Sequence, residues 1–207
     1  MRLIITLLLC LSTYASQAQD RDNILILGDS LSAGYGINIE ESWPVLLQDK
    51  LTDSKLNFNV HNASISGQTT AEGVAQINQL LKLTQPKLVI LELGANDGLR
   101  GLSITDMQQN LQTMITRSQL AGANVLLIGI RTPANYGRRY GQMFTQSYQQ
   151  LAKQNGITLV PFMLEPLSRL ITQANKPEYI QKDGLHPTAK AQPILLQFLM
   201  PYINKSI

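Results

Sequence analysis

Cysteine is all but missing from this chain. Its one cysteine, Cys10, lies in the apolar run at the extreme N-terminus. Once that run is removed, no disulfide framework, thiol nucleophile or cysteine-based zinc site can be built. Histidine is nearly as scarce. His61 and His186 are the whole supply, so histidine-dependent chemistry has two candidates. Charged residues make up 15% of the sequence and the net charge is +3. The lysines and arginines are scattered, and the densest basic spot, Arg138-Arg139, is too small to grip a phosphate backbone. No nucleic-acid partner is expected. There is no internal repeat and no Gly/Ser/Pro-rich linker. The apolar run Leu3 to Leu11 is too short to cross a bilayer as a mature anchor.

What that run does offer is an export signal. Arg2 precedes it, and Ser16-Gln17-Ala18 supplies the small-x-small pattern of a signal peptidase site. Leu9 and Leu11 around Cys10 fit a lipidation box poorly. The expectation is a signal peptide over 1–18, cleaved after Ala18, and one domain over 19–207. The mature protein would be exported, most simply to a periplasm, as a monomer without a stable membrane anchor. With 207 residues, 44% of them hydrophobic, the chain can fill one α/β core, and disordered or fibrous classes drop out.

Apolar runs of strand length alternate with helical patterns. Strands are expected at 23–27, 58–62, 88–93, 125–130 and 157–160. Helices are expected at 42–51, 70–83, 104–120, 142–154 and 188–202, the last interrupted early by Pro193. Alternation of this kind implies parallel pairing with right-handed crossovers, and near-continuous apolar strands imply a sheet covered on both faces. Ligands of such sheets bind at the carboxyl ends of the strands.

Polar residues and glycines collect just past each expected strand: Gly28-Asp29-Ser30-Leu31, Ala63 to Gly67, Gly94 to Gly98, Arg131 to Tyr136, and, beyond a connection, Asp183-Gly184-Leu185-His186-Pro187. A parallel sheet brings all of these to one edge. Acyl transfer needs a nucleophile, a base, a group orienting the base, and donors for an oxyanion. Ser30, where a buried strand turns sharply, suits the nucleophile, although Asp29 and Ser30 could equally be caps of a turn. His186 suits the base, with Asp183 three residues earlier to fix its tautomer. His61 sits in or beside a strand and suits a structural or surface role. Gly67, Asn96 and the backbone of Ser30 are candidate oxyanion donors. Taken singly, Gly67 and Asn96 would read as ordinary turn residues.

These blocks resemble the SGNH (GDSL) hydrolase family: G-D-S-L at 28–31, Gly67 in S-I-S-G-Q-T, Asn96 in G-A-N-D, and Asp183 with His186 in D-G-L-H-P, all in the family's order. The longer strings I-L-G-D-S-L-S-A-G-Y, E-L-G-A-N-D-G-L-R-G and P-A-N-Y-G-R-R-Y are similar to the TesA-type acyl-CoA thioesterase I and lysophospholipase subgroup. The resemblance spans 23–202. It implies a flavodoxin-like α/β/α sandwich with a five-stranded parallel sheet, a Ser30-His186-Asp183 triad, and an oxyanion hole from Ser30, Gly67 and Asn96. It also implies that 96–102 matches a segment that moves over acyl chains. Ala95 departs from the pattern, where relatives often carry glycine, and His61 has no counterpart in it.

The expected activity is hydrolysis of acyl esters and thioesters, with no metal and no cofactor. Leu99, Leu102, Pro133, Ala134 and Tyr136 are expected to line an apolar groove. Arg100 and Arg138 would meet an anionic head or stand in solvent. The rivals are a carbohydrate O-acetyl esterase on the same scaffold and a non-catalytic lipid or flavin binder.

Overall fold

The computed structural model describes residues 22–132 and 134–207. The expected export signal and Pro133 lie outside the described residues. Strand β1 (Asp22–Gly28) runs into a single helical turn, α1 (Ser30–Ala33). Then come α2 (Trp43–Asp53), β2 (Phe58–Asn62), α3 (Thr70–Thr84), β3 (Leu88–Glu92), the short α4 (Ala95–Leu99), α5 (Ile104–Leu120), β4 (Asn124–Ile128), α6 (Arg138–Asn155) and β5 (Thr158–Val160). Two short helices, α7 (Glu165–Leu170) and α8 (Lys176–Tyr179), precede the closing helix α9 (Gln192–Ser206).

All five strands are parallel, in the order β2-β1-β3-β4-β5, the flavodoxin-like arrangement. Alternate strand residues face opposite layers. Ile24, Ile26, Ile90, Leu126 and Ile128 pack against Trp43, Leu47 and Leu51 of α2 and Leu195, Leu199 and Ile203 of α9. Leu25, Leu27, Val89, Leu91 and Leu127 pack against α3, α5 and α6 through Ile77, Leu111, Met114, Phe144 and Tyr148. The sheet is therefore the middle of three layers. Each fully buried aliphatic side chain contributes about 1.5–3 kcal/mol, so both faces of the sheet are anchored.

The order also fixes where a cleft can open. From β1 the chain moves outward to β2, then returns past β1 to β3 and builds away on the other side. The connections leaving β1 and β3 part there, at a topological switch point. Gly28 pairs in register with Glu92, so the residues that follow each strand end are neighbours.

Several helix boundaries differ from the pattern-based expectation. Helix α6 starts at Arg138 rather than 142, because its first turn is polar and exposed and the buried stripe begins only at Phe144. Pro193 does not interrupt the last helix but sits in its first turn, where the missing N–H has no partner to lose. A 3₁₀ turn at Ala189–Ala191 precedes it. Helices α7 and α8 were not expected. Among the described residues, no helix is long and apolar enough to cross a membrane.

Candidate active site

Strand β1 ends at Gly28 and the chain turns into α1. The carboxyl of Glu92 and the side chain of Ser32 fill the space beside Gly28, so a Cβ there would lie 2.8 Å from Glu92 Oε2 and 2.9 Å from Ser32 Oγ. Asp29 then caps α1, its Oδ1 accepting the Leu31 N–H at 3.1 Å. Ser30 is the first residue of the turn and remains partly exposed at the sheet edge.

The second carrier is the connection between α8 and α9. Ile180 and Pro187 form an antiparallel bridge, and Gln181 N–H donates to the His186 carbonyl at 2.8 Å. Gly184 turns the chain with a φ of 76°. The tip of this narrow loop folds onto Asp183. Its Oδ1 accepts the backbone N–H groups of Leu185 and His186 at 2.9 and 3.0 Å, and its Oδ2 lies 2.6 Å from His186 Nδ1. Those backbone donors, first Leu185 and then His186, together with the imidazole hold the Asp183 carboxyl down at about 2. An ionised carboxylate only accepts, so Nδ1 carries a proton, and in the neutral imidazole Nε2 is then the acceptor. Nε2 stands 2.8 Å from Ser30 Oγ, a serine 156 residues away. The Tyr35 ring leans on the other side of the imidazole, with centroids 4.5 Å apart.

The Asn96 amide sits at the start of α4. Gly94 precedes it with a φ of 122°, and a side chain there would collide with the Tyr148 hydroxyl, which donates to the Leu93 carbonyl at 2.9 Å. Asn96 Nδ2 donates to the Gln68 carbonyl at 3.0 Å and to Asp29 Oδ2 at 3.2 Å. The Gly67 turn is brought alongside by α3. Thr69 and Glu72 form a reciprocal capping box, and the Asp97 carboxylate accepts the Thr70 N–H and hydroxyl at 2.9 and 2.5 Å. Arg100 donates to the Gly67 carbonyl at 2.7 Å. Ser30, Gly67, Asn96 and His186 thus border one cleft of about 260 Å³.

The rest of that cleft is largely apolar. Leu99 lines it, and so do Ile130, Phe144, Phe162, Met163 and Leu185, which the sequence analysis did not assign to the groove. Phe162 and Met163 follow β5, and the strand-end rule applied to the fifth strand would have found them. Two expected groove residues stand elsewhere. Tyr136 uses its hydroxyl to bind the Leu99 carbonyl at 3.1 Å and packs on Tyr140. Leu102 is exposed, its N–H turned back to the Asp97 carbonyl. Neither belongs to the cleft wall. Arg100 is occupied in holding the Gly67 turn, and Arg138 lines a separate polar groove. His61 is exposed and contacts Asn23, and it is not part of the cleft wall.

Residues 26–193 match the GDSL-like lipase/acylhydrolase family. The chain belongs to that family. This GDSL hydrolase is an ester-hydrolysing enzyme. It is 46% identical to an arylesterase of Vibrio mimicus over 99% of this chain and 98% of that one. It is 43% identical to thioesterase 1/protease 1/lysophospholipase L1 of Escherichia coli strain K12, over 96% and 92% of the two chains. The crystal structure of TesA superposes with a TM-score of 0.84 at 42% identity, covering 90% of this chain and all of that one. The three-layer fold of the GDSL hydrolase is the fold of that structure.

Proposed function

We propose that the protein cleaves acyl esters and thioesters by attack of Ser30, with His186 as general base and Asp183 as its orienting carboxylate. The observation that carries this reading is the continuous row of short contacts, 2.8 Å from Ser30 to His186 and 2.6 Å from His186 to Asp183, at the mouth of an apolar cleft. As Oγ bonds to the acyl carbon, its proton passes to Nε2. Asp183 stabilises the imidazolium that results. The developing oxyanion takes hydrogen bonds from the backbone N–H groups of Ser30 and Gly67 and from the Asn96 amide. Both amide hydrogens of Asn96 are engaged in the free protein. The amide keeps its contact to Asp29, and the hydrogen held by the Gln68 carbonyl is the one that turns to the oxyanion. The proton on His186 then goes to the leaving oxygen or sulfur, and water hydrolyses the acyl-enzyme by the same route.

The cleft wall of Leu99, Ile130, Phe144, Phe162 and Leu185 favours an acyl chain over a sugar, so the substrate class is a medium- or long-chain ester or thioester, lysophospholipids included. The relatives named arylesterase and lysophospholipase support that breadth. With residues 1–18 read as an export signal, the protein works outside the cytoplasm, in a periplasm, as a monomer. A series of p-nitrophenyl esters tests the acyl assignment. The expected result is a kcat/KM that rises from acetate past butyrate, by up to about fourfold for each methylene that enters the apolar wall. Turnover confined to acetate and butyrate would contradict it and favour an O-acetyl esterase.

A further inference from the structure

Behind the nucleophile lies a pair of carboxyls that the mechanism does not use. Glu92 and Asp29 are both fully buried. Glu92 Oε2 accepts the Ser32 hydroxyl at 2.8 Å and the Asp29 N–H at 3.3 Å, and its Oε1 has no hydrogen-bond partner. No lysine, arginine or histidine contacts it among the described residues. The groups that bear on the pair are each other, Asp97 of α4, the Tyr148 phenol of α6, and His186, which acts on Asp29. A lone charge in that position would have one weak and one ordinary hydrogen bond and a second carboxylate beside it. A neutral acid is far less costly to bury.

Asp29 has a different set of partners. Its Oδ1 accepts the Leu31 N–H, and its Oδ2 accepts the Asn96 amide. Both oxygens therefore face donors. The chain of contacts runs from β3 through Glu92 to the turn bearing Ser30, and from Asp29 to the oxyanion donor.

We propose that Asp29 and Glu92 are positioning residues with opposite requirements: Asp29 must present two acceptor oxygens to aim Asn96, whereas Glu92 is held as an uncharged acid that anchors the Ser30 turn. The proposal rests on the oxyanion role given to Asn96 above. Burial raises both carboxyls, but the Leu31 N–H, His186 and the Asn96 amide pull Asp29 back to about 6, whereas Glu92, with Asp29 beside it, stays well above the ordinary carboxylate range.

Isosteric amides separate the two roles. In Asp29→Asn, one of the two acceptors becomes an NH₂ group that must face either the Leu31 N–H or the Asn96 amide. The expected result is a fall in kcat of about 100-fold, the size of an ångström-scale misplacement, with little change in KM. Glu92→Gln matches the neutral acid in shape and charge. It should restore kcat to within about threefold of wild type where Glu92→Leu loses it. A pH readout adds what packing alone would not move. Because its folded pKa is raised, wild type gains stability below the ordinary carboxylate range and loses it as pH rises through the folded values. Glu92→Gln should therefore gain in Tm over wild type on going from pH 5 to pH 9.

Equal damage from Asp29→Asn and Glu92→Gln, a harmless Asp29→Asn, or a Tm difference that does not change with pH would each overturn the proposal. Wild-type turnover and labelling of Ser30, measured alongside, report on the serine-hydrolase reading itself. Its failure is thereby distinguished from failure of the pair.

Discussion

Asp183→Asn is expected to lower kcat by about 10,000-fold with little effect on KM, on the scale known for the equivalent change in serine proteases. The geometry explains why so small an edit acts so strongly. Asp183 Oδ1 accepts two backbone N–H groups and Oδ2 accepts Nδ1–H of His186. An asparagine has one acceptor oxygen for these two duties. If the oxygen keeps the backbone donors, the NH₂ group faces Nδ1 and forces the imidazole into the tautomer that carries its proton on Nε2. Ser30 then meets a donor instead of a base. If the oxygen faces Nδ1, the NH₂ group meets two N–H groups and the loop tip is pushed open. Steady-state kinetics on one ester, with Tm measured in parallel, check this. The carboxylate is held at about 2, so it is ionised throughout the working range. Its small stabilising effect, screened at this exposed site, is present above the ordinary carboxylate pKa and is lost as pH falls towards 2. An Asp183→Asn variant with wild-type kcat would remove the carboxylate from the mechanism.

Asn96→Ala is the second large effect. Removing one oxyanion donor is worth about 100- to 1,000-fold in kcat, or roughly 2.7–4 kcal/mol in the transition state. The ground state loses less. The Gln68 carbonyl and Asp29 Oδ2 each give up one hydrogen bond, at about 1 kcal/mol of stability apiece. The diagnostic is therefore the mismatch between a small fall in Tm and a large fall in kcat at nearly constant KM. A proportionate loss of both would make Asn96 a structural residue of the α4 turn.

Much of this site could be read from the chain alone, because the rules involved are local or topological. A buried strand followed by Gly-Asp-Ser needs only the next few residues to be recognised, and Asp183 reaches His186 within one turn. Parallel alternation then says that Ser30, Gly67, Asn96 and His186 share an edge. The residues that escaped notice depend on contacts distant in sequence. Glu92 ends an apolar strand and reads as a polar strand end. Its burial depends on Gly28 and Ser32, some 60 residues earlier, leaving room for it. Arg100 looks like a solvent group until the Gly67 carbonyl is found in front of it. Tyr136 and Leu102 sit on the expected loops, yet loop membership does not set the direction of a side chain. Tyr136 spends its hydroxyl on the Leu99 backbone instead of the cleft. Helices α7 and α8 are too short to show a period.

The account depends on Ser30 being the atom that takes the acyl group, and labelling with a fluorophosphonate followed by peptide mass spectrometry tests that most directly. The expected result is one adduct per chain, on Ser30, absent in Ser30→Ala and formed far more slowly in Asp183→Asn. An adduct on another residue, or a Ser30→Ala protein that still turns over esters at the wild-type rate, would contradict it.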